Sequence, residues 1–479
     1  MKPFPFLPLL PLLPLAGALL LAGCASMAPP YERPAAPLPT HYADAEASVG
    51  ASAAALDWRA YFADPALQRL IAQALNNNHD LRTAVLRVQE AQAAYGVQRS
   101  ARYPSLDLSA DAARARTPAD LSLTGNAVTG SQFQAGLGIS SWEIDFWGRI
   151  ASLDEAALQS FLATDASRRA ATVALVGQVA DAYLGLRELD ERLRLAQESA
   201  ASQRESLRIF TRRFEVGAAS RLELTQVQTL LAQAETLAVQ LQQQRDAQTH
   251  ALDLLLGGPA DLLPAAGEAE WSPPPLAAGL PSELLLQRPD LAAAEHQLRA
   301  AQAQIGAARA AFFPSIRLTA FGGMASSELE GLFKGAGRAW NFAPSLSLPL
   351  FDAGRNRANL DLAEVRRNLA VVQYEQAVQA AFREVADALS ARRWLAEQVR
   401  VSADALAVQR ERARLSRLAY DHGASSFLDV LDAERSLISA AQQLAQTRRA
   451  LRASQVALYR ALGGGAPAPA EPLSASTRS

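Results

Sequence analysis

The chain has 479 residues, with 46 Lys or Arg against 48 Asp or Glu, a formal net charge of −2. That balance offers no basic surface for nucleic acid, and a single cysteine excludes an intrachain disulfide or a cysteine-based zinc cluster. Length alone allows about three average domains, a prior that gives way if the chain repeats itself.

The amino terminus reads as an export signal. Lys2 supplies the positive start, residues 4–22 are apolar and interrupted by proline, and Leu21-Ala-Gly-Cys24 follows. Residues 1–23 are therefore expected to be a signal peptide. The tetrapeptide resembles the lipobox of bacterial lipoproteins, which implies cleavage before Cys24 and acylation of its thiol. Ala25 in place of Asp favours the outer membrane by the same analogy. An ordinary secretory signal with a stray cysteine is the plain alternative. Residues 24–62 read as a lipid-anchored extended segment, rich in Pro and Ala at its start. Beyond the signal no apolar run reaches the ~18 residues of a spanning helix, so any crossing must be made by strands.

Asp64 and Pro65 suit the N-cap and first turn of a helix that continues to about residue 102, where Pro104 stops it. The period then changes to two. Leu106, Leu108 and Ala110 alternate with Asp107, Ser109 and Asp111, and Phe133, Ala135, Leu137 and Ile139 alternate with Gln134, Gly136, Gly138 and Ser140. Strands of nine to twelve residues fit a tilted crossing of a bilayer, although this segment alone also fits a soluble, half-buried hairpin. Residues 147–216 contain no proline and read as one helix of roughly 100 Å at ~1.5 Å per residue. Gly217 ends it. Leu224, Val227, Leu231, Ala234, Ala238 and Leu241 then form a heptad seam, the mark of coiled-coil packing.

After a proline-rich linker at 259–287 the programme recurs. Asp290 matches Asp80, Gly306 matches Gly96 and Pro314 matches Pro104, each 210 residues on. Gly354 matches Gly148, Gly423 matches Gly217 and Leu462 matches Leu256, each 206 residues on. The offset falls between the two strands of the second half, Ile316, Leu318, Ala320 and then Phe342, Pro344, Leu346, Leu348, so a shorter loop accounts for it. The expected layout is a first repeat at 63–258 with a strand pair near 104–146, a second at 288–464 with a strand pair near 314–351, and a disordered tail at 465–479. In each repeat two shorter helices would stack end to end alongside one long helix. Four strands cannot close a barrel, and membrane barrels need at least eight. Two copies would give a filled interior, three an aqueous lumen.

The chain resembles the TolC-type outer-membrane efflux channels, in their NodT-like lipoprotein branch. The resemblance is carried by the lipobox, by Asp57-Trp58 through Phe62-Ala-Asp-Pro65-Ala-Leu67, by Gly279-Leu-Pro-Ser through Arg288-Pro-Asp290, by Phe312-Phe-Pro-Ser315, by Pro349-Leu-Phe-Asp-Ala-Gly-Arg355 and by Asp429-Val-Leu-Asp-Ala-Glu434. It implies a fold that is mainly α with a membrane β-barrel, a homotrimer with a twelve-stranded barrel in outer-membrane lipid, and a periplasmic helical tunnel. Its partners would be a periplasmic adaptor and an inner-membrane pump that exports small molecules.

The resemblance also implies site residues. Asp429 and Asp432 match carboxylates that line the closed periplasmic aperture, so a trimer would present six; a solvated helix face near an N-terminus would carry the same residues. Tyr420 and Glu223 match an inter-helix latch, with Ser425 standing where some relatives have an arginine. The five histidines are isolated, and no hydrolase, zinc-protease or P-loop motif is present, so an enzyme is not expected, nor any cofactor or metal beyond the lipid on Cys24. The competing class is a periplasmic coiled-coil adaptor or a structural lipoprotein without a pore. Either would explain the heptads but leave the duplicated strands without a purpose.

Overall fold

The computed structural model describes residues 27–35, 39, 42, 51–53, 56–123, 125–260, 273–277 and 288–466. The signal peptide expected at 1–23, Cys24, parts of the 24–62 segment, most of the 259–287 linker and the tail beyond 466 lie outside the described residues.

In chain order the elements are β1 (Ala51–Ser52), α1 (Trp58–Tyr61), α2 (Pro65–Asn77), α3 (His79–Ser100), β2 (Asp107–Thr117), β3 (Val128–Ile144), α4 (Arg149–Glu215), α5 (Arg221–Leu256), β4 (Leu276–Ala277), α6 (Pro289–Ala310), β5 (Ser315–Ser326), β6 (Arg338–Ser347), α7 (Arg355–Asp421) and α8 (Phe427–Ala461). The two long helices, α4 and α7, have 67 residues each. No helix among the described residues is long and apolar enough to cross a membrane. The residues group into two compact units, one comprising 1–35, 88–164 and 294–374, the other 36–87, 165–293 and 375–479.

The first unit holds an antiparallel sheet in the order β2-β3-β5-β6. Its register places Leu108 opposite Leu137, Ala110 opposite Ala135, Ile139 opposite Ala320, and Ile316 opposite Leu346. Side chains alternate across a strand, so these residues share one face, and Leu108 and Leu346 are 80% and 67% exposed there. The other face carries Asp111, Gln134, Thr319 and Asn341. β3 is longer than expected, at 17 residues, with a register shift between Ile139 and Trp142. Trp147 then stacks on Phe313 at 4.8 Å and donates its indole N–H to Pro314 O, which ties the end of one strand pair to the start of the next.

The second unit corrects one expectation. The helix read as continuous from Asp64 is broken at Asn78, whose ψ of 129° leaves helical space. Asn78 accepts from Leu81 N–H through Oδ1 and donates through Nδ2 to Leu255 O at the end of α5. One amide thus starts α3 and satisfies a carbonyl that the end of α5 leaves unpaired. The second repeat makes the same join with a different side chain: Arg288, just ahead of α6, donates to Ala461 O at the end of α8 at 3.0 Å. Positions 78 and 288 differ by the first offset, 255 and 461 by the second. The expected end-to-end stacking of short helices is therefore present in both repeats. Arg288 is buried, and its charge is met by Asp290 and Glu384, as a desolvated guanidinium requires. The unit also holds a short pairing absent from the sequence reading, β1 parallel to β4.

Candidate functional site

The turns that end α4 and α7 both lie in the second unit, and both are built from the same parts. Gly217 and Gly423 take φ of 75° and 70°, left-handed values that cost a residue with a Cβ about 1–2 kcal/mol. The next amide closes each helix end, Ala218 N–H to Arg213 O at 2.7 Å and Ala424 N–H to Ala419 O at 2.8 Å. Ser220 and Ser426 then occupy the N-caps of α5 and α8. Glu223 and Asp429, the third residues of those helices, turn their carboxylates back onto the caps. Ser220 N–H donates to Glu223 at 2.6 Å, and Ser426 donates to Asp429 from its N–H at 3.1 Å and its hydroxyl at 2.8 Å. Caps of this kind contribute about 1 kcal/mol each.

Beneath the turns four helices share one core. Phe210 of α4, Val227 of α5, and Phe427, Val430 and Leu431 of α8 are buried together, with Tyr420 of α7 packed against them. The Phe427 ring sits 4.2 Å from Phe210 and 5.0 Å from Tyr420, contacts worth about 0.5–1.5 kcal/mol each beyond the area they bury. Arg213 lies over the rings of Phe210 and Tyr420, at 5.3 and 6.0 Å, and donates to the Tyr420 hydroxyl. The heptad seam continues outward from this cluster, with Val227, Leu241, Val430 and Ala433 fully buried.

Among the expected site residues, Tyr420 and Glu223 are not bonded to each other within the chain. Tyr420 takes Arg213 as its partner and Glu223 takes Ser220. The bonds from the Ser220 backbone and hydroxyl, with the nearby Arg213 charge, hold the Glu223 carboxyl below its ordinary value. The Ser425 hydroxyl is buried with no hydrogen-bond partner among the described residues. Asp432 points off the seam, as expected, but does not stand as a bare carboxylate. It accepts from Arg412 of α7 and, at 2.6 Å, from Arg435 of its own helix. The Arg412 bond, opposed by slight desolvation and aided by Arg435, lowers its pKa.

Arg213, Arg412 and Arg435 were missed in the sequence, and the repeat held the clue. Their counterparts 206 residues away are Ala419, Ser206 and Thr229, and that of Asp432 is Gln226. The second turn thus carries an acid and two arginines that the first lacks, so charge chemistry is concentrated where the copies differ. A groove of about 370 Å³ opens nearby between α4, α5 and α8, lined by amides such as Gln203, Gln233 and Gln442, with Gln203 donating to Glu434 at 2.9 Å. No group of three or more potential metal ligands occurs among the described residues.

A sequence model of the family described as "Outer membrane efflux protein" matches residues 70–258 and 280–464. The chain is 43% identical over 463 residues to the toluene efflux pump outer membrane protein TtgF of Pseudomonas putida, covering 94% of this chain and 96% of that one. It is 42% identical over 459 residues to outer membrane protein OprJ of Pseudomonas aeruginosa, covering 94% and 95%. The solved open state of the MtrE outer membrane channel of Neisseria gonorrhoeae superposes with a TM-score of 0.84 at 39% identity, covering 92% of this chain and 98% of that one.

Proposed function

The chain belongs to the outer membrane efflux protein family, and from that membership we propose its working form, a homotrimer that carries small molecules out of the periplasm. Its fold is mainly α with a membrane β-barrel, and it is an outer-membrane component of an efflux system, with a helical part in the periplasm. The family is one of transport channels, not enzymes, and we read this chain the same way.

The observation that carries the trimer is the sheet. It has one apolar, exposed face, and among the described residues neither β2 nor β6 has a second strand neighbour. Each unpaired backbone group left in lipid costs several kcal/mol, so other copies must supply the missing edges. Three copies give twelve strands, enough for an aqueous lumen. Cys24 carries the lipid that adds a second attachment to the membrane. The Gly217 and Gly423 turns face a periplasmic adaptor, for which the amide-lined groove offers hydrogen-bonding side chains, and an inner-membrane pump supplies the cargo.

At the periplasmic aperture, Asp429 and Asp432 from three copies gather around the axis. Arg412 and Arg435 lower the repulsion among them, since an opposite charge favours the ionised form. Tyr420 and Glu223 hold the closed state, with Arg213 bonded to the Tyr420 hydroxyl and its charge acting on the Glu223 carboxyl. The experiment is purification of a form with Cys24 replaced. A barrel protein needs detergent and migrates as an oligomer that heating dissociates. A detergent-free monomer that keeps the helical spectrum would remove the channel reading and favour the adaptor class.

A further inference from the structure

At the end remote from the helices, the sheet of the first unit carries its charge on the apolar face. Leu108, Ala110 and Ala112 of β2 lie on that face, and the same period of two brings Arg114 and Arg116 onto it. On β6 the face runs through Leu346, Pro344, Phe342 and Trp340 and ends at Arg338. The opposite face at this level holds Ala113, Ala115, Gly130, Ala325 and Ala339. A face towards an aqueous lumen would take arginine at no cost, yet all three arginines stand on the side that is to meet lipid. They are exposed, and none forms an ion pair with a described residue.

A charge on the lipid face of a membrane strand costs much at the bilayer midplane and almost nothing at the interface, so the three arginines belong at head-group level. Trp340, 82% exposed and the next residue inward from Arg338 on the same face, agrees, because indoles collect at that boundary. Height agrees too. From Leu348, just past the inner end of β6, to Arg338 a strand runs about 34 Å, or about 26 Å of height at a tilt of about 40°, and the apolar band of a membrane barrel is about 25 Å tall. The helices lie in the periplasm and join the other end of the strands, so this boundary is the one towards the cell exterior.

The sheet order leaves β2 and β6 at its two edges. In a ring of copies, β6 of one subunit therefore meets β2 of the next, antiparallel to it. β2 has 11 residues and β6 has 10, and of the registers that lay their ends flush only the one pairing even with even positions keeps the apolar face unbroken. It sets Leu108 opposite Leu346 of the partner subunit, Arg114 opposite Trp340 of the partner subunit, and Arg116 opposite Arg338 of the partner subunit. An arginine beside an indole is favourable. Two like charges directly opposite are not, unless an anion lies between them.

We propose that each seam between copies holds a phosphate-bearing lipid of the outer leaflet, its phosphate bridging Arg116 and the partner subunit's Arg338 while its acyl chains lie along the apolar residues below. Guanidinium forks bind phosphate through paired hydrogen bonds, and basic pockets between membrane-spanning elements take lipid head groups in the same way. The proposal rests on reading the working form as a trimer.

The test is native mass spectrometry of the full-length protein, delipidated in detergent. It is run first alone, to record the oligomeric state, and then with a bis-phosphorylated lipid A, with the same lipid stripped of its phosphates, and with inorganic phosphate. The expected result is one phosphorylated lipid per seam and a raised temperature for dissociation on heating, with neither effect from the stripped lipid or from inorganic phosphate at the same concentration. Arg116→Gln and Arg338→Gln should each weaken lipid binding about ten-fold or more. Arg317→Gln, at the inner end and on the other face, should leave it unchanged. Equal binding of the stripped lipid, or undiminished binding by both Gln variants, would overturn the site. Inorganic phosphate acting as well as the lipid would make it a site for free phosphate and overturn the lipid as its occupant. If a variant fails to assemble, the contrast between the two lipids on the unaltered protein still decides. A trimer that takes up no lipid overturns this proposal alone, whereas a monomer before any lipid is added would remove the trimer and the seam together.

Discussion

The Phe210 ring lies 4.2 Å, centroid to centroid, from the Phe427 ring, so the end of the first long helix and the first turn of the last helix share one core across the two repeats. Phe427→Ala empties the centre of that core and should cost about 3–5 kcal/mol, the usual loss for a buried aromatic. Limited proteolysis should then cut at the Gly217 and Gly423 turns. Phe427→Leu, which keeps most of the volume, should resist cutting far better. Equal resistance in both variants would mean that the rings do not secure the turns.

Arg213 contacts Tyr420 and biases Glu223, so latch strength should depend on all three. Tyr420→Phe combined with Glu223→Gln should raise single-channel conductance in planar bilayers, and Arg213→Ala alone should raise it by a comparable amount. A hydrogen bond to a charged group contributes roughly 1.5–3 kcal/mol, small enough for an adaptor to displace. Unchanged conductance in both variants would remove the latch from this protein.

Asp432 titrates below its ordinary value because Arg412 and Arg435 bond to it. A carboxyl with a depressed folded-state pKa contributes stability that is complete above the unfolded value, about 4 for Asp, and is lost as pH falls through the lower folded value. The melting temperature of the protein should therefore drop as pH is taken below about 4, and Asp432→Asn should make that part of the drop shallower. Identical pH profiles for the two forms would mean that the ion pairs contribute nothing at the turn.

Leu346 sits on the apolar face of β6, opposite Ile316. Leu346→Arg should cost about 2–4 kcal/mol if the position lies near the bilayer midplane, and the fraction of protein that becomes heat-dissociable oligomer should fall steeply. Ser345→Arg, one residue away on the other face, should be tolerated. Equal yields for the two substitutions would show that this face does not meet lipid.

The parts of the architecture that were legible in the sequence depend on neighbours close in the chain. Gly217 and Gly423 announce their turns because a left-handed backbone selects glycine locally. The strands announce themselves because a face in lipid and a face in water force a period of two. Asn78 carried only a local hint, the run Asn76-Asn77-Asn78 of residues that favour caps over helix interiors; its partner, Leu255 O, lies 177 positions away. The β1 and β4 pairing is two residues long, too short to print any pattern. At the candidate site the acids were readable from their likeness to a family motif, and Arg435 stands at the i,i+3 spacing from Asp432 that pairs charges on one helix, but Arg412 left no local signal. Arg412 reaches Asp432 across two helices, a meeting that only the folded bundle arranges.

Because β2 and β6 have no second strand neighbour among the described residues, the proposed assembly would also be self-inspecting. A subunit with a misfolded hairpin, or a ring short of one member, leaves a row of backbone dipoles facing hydrocarbon, and the bilayer itself rejects it. In the proposed trimer, closure would hide every such row at once, so the bilayer would favour the closed ring over its fragments without a dedicated sensor.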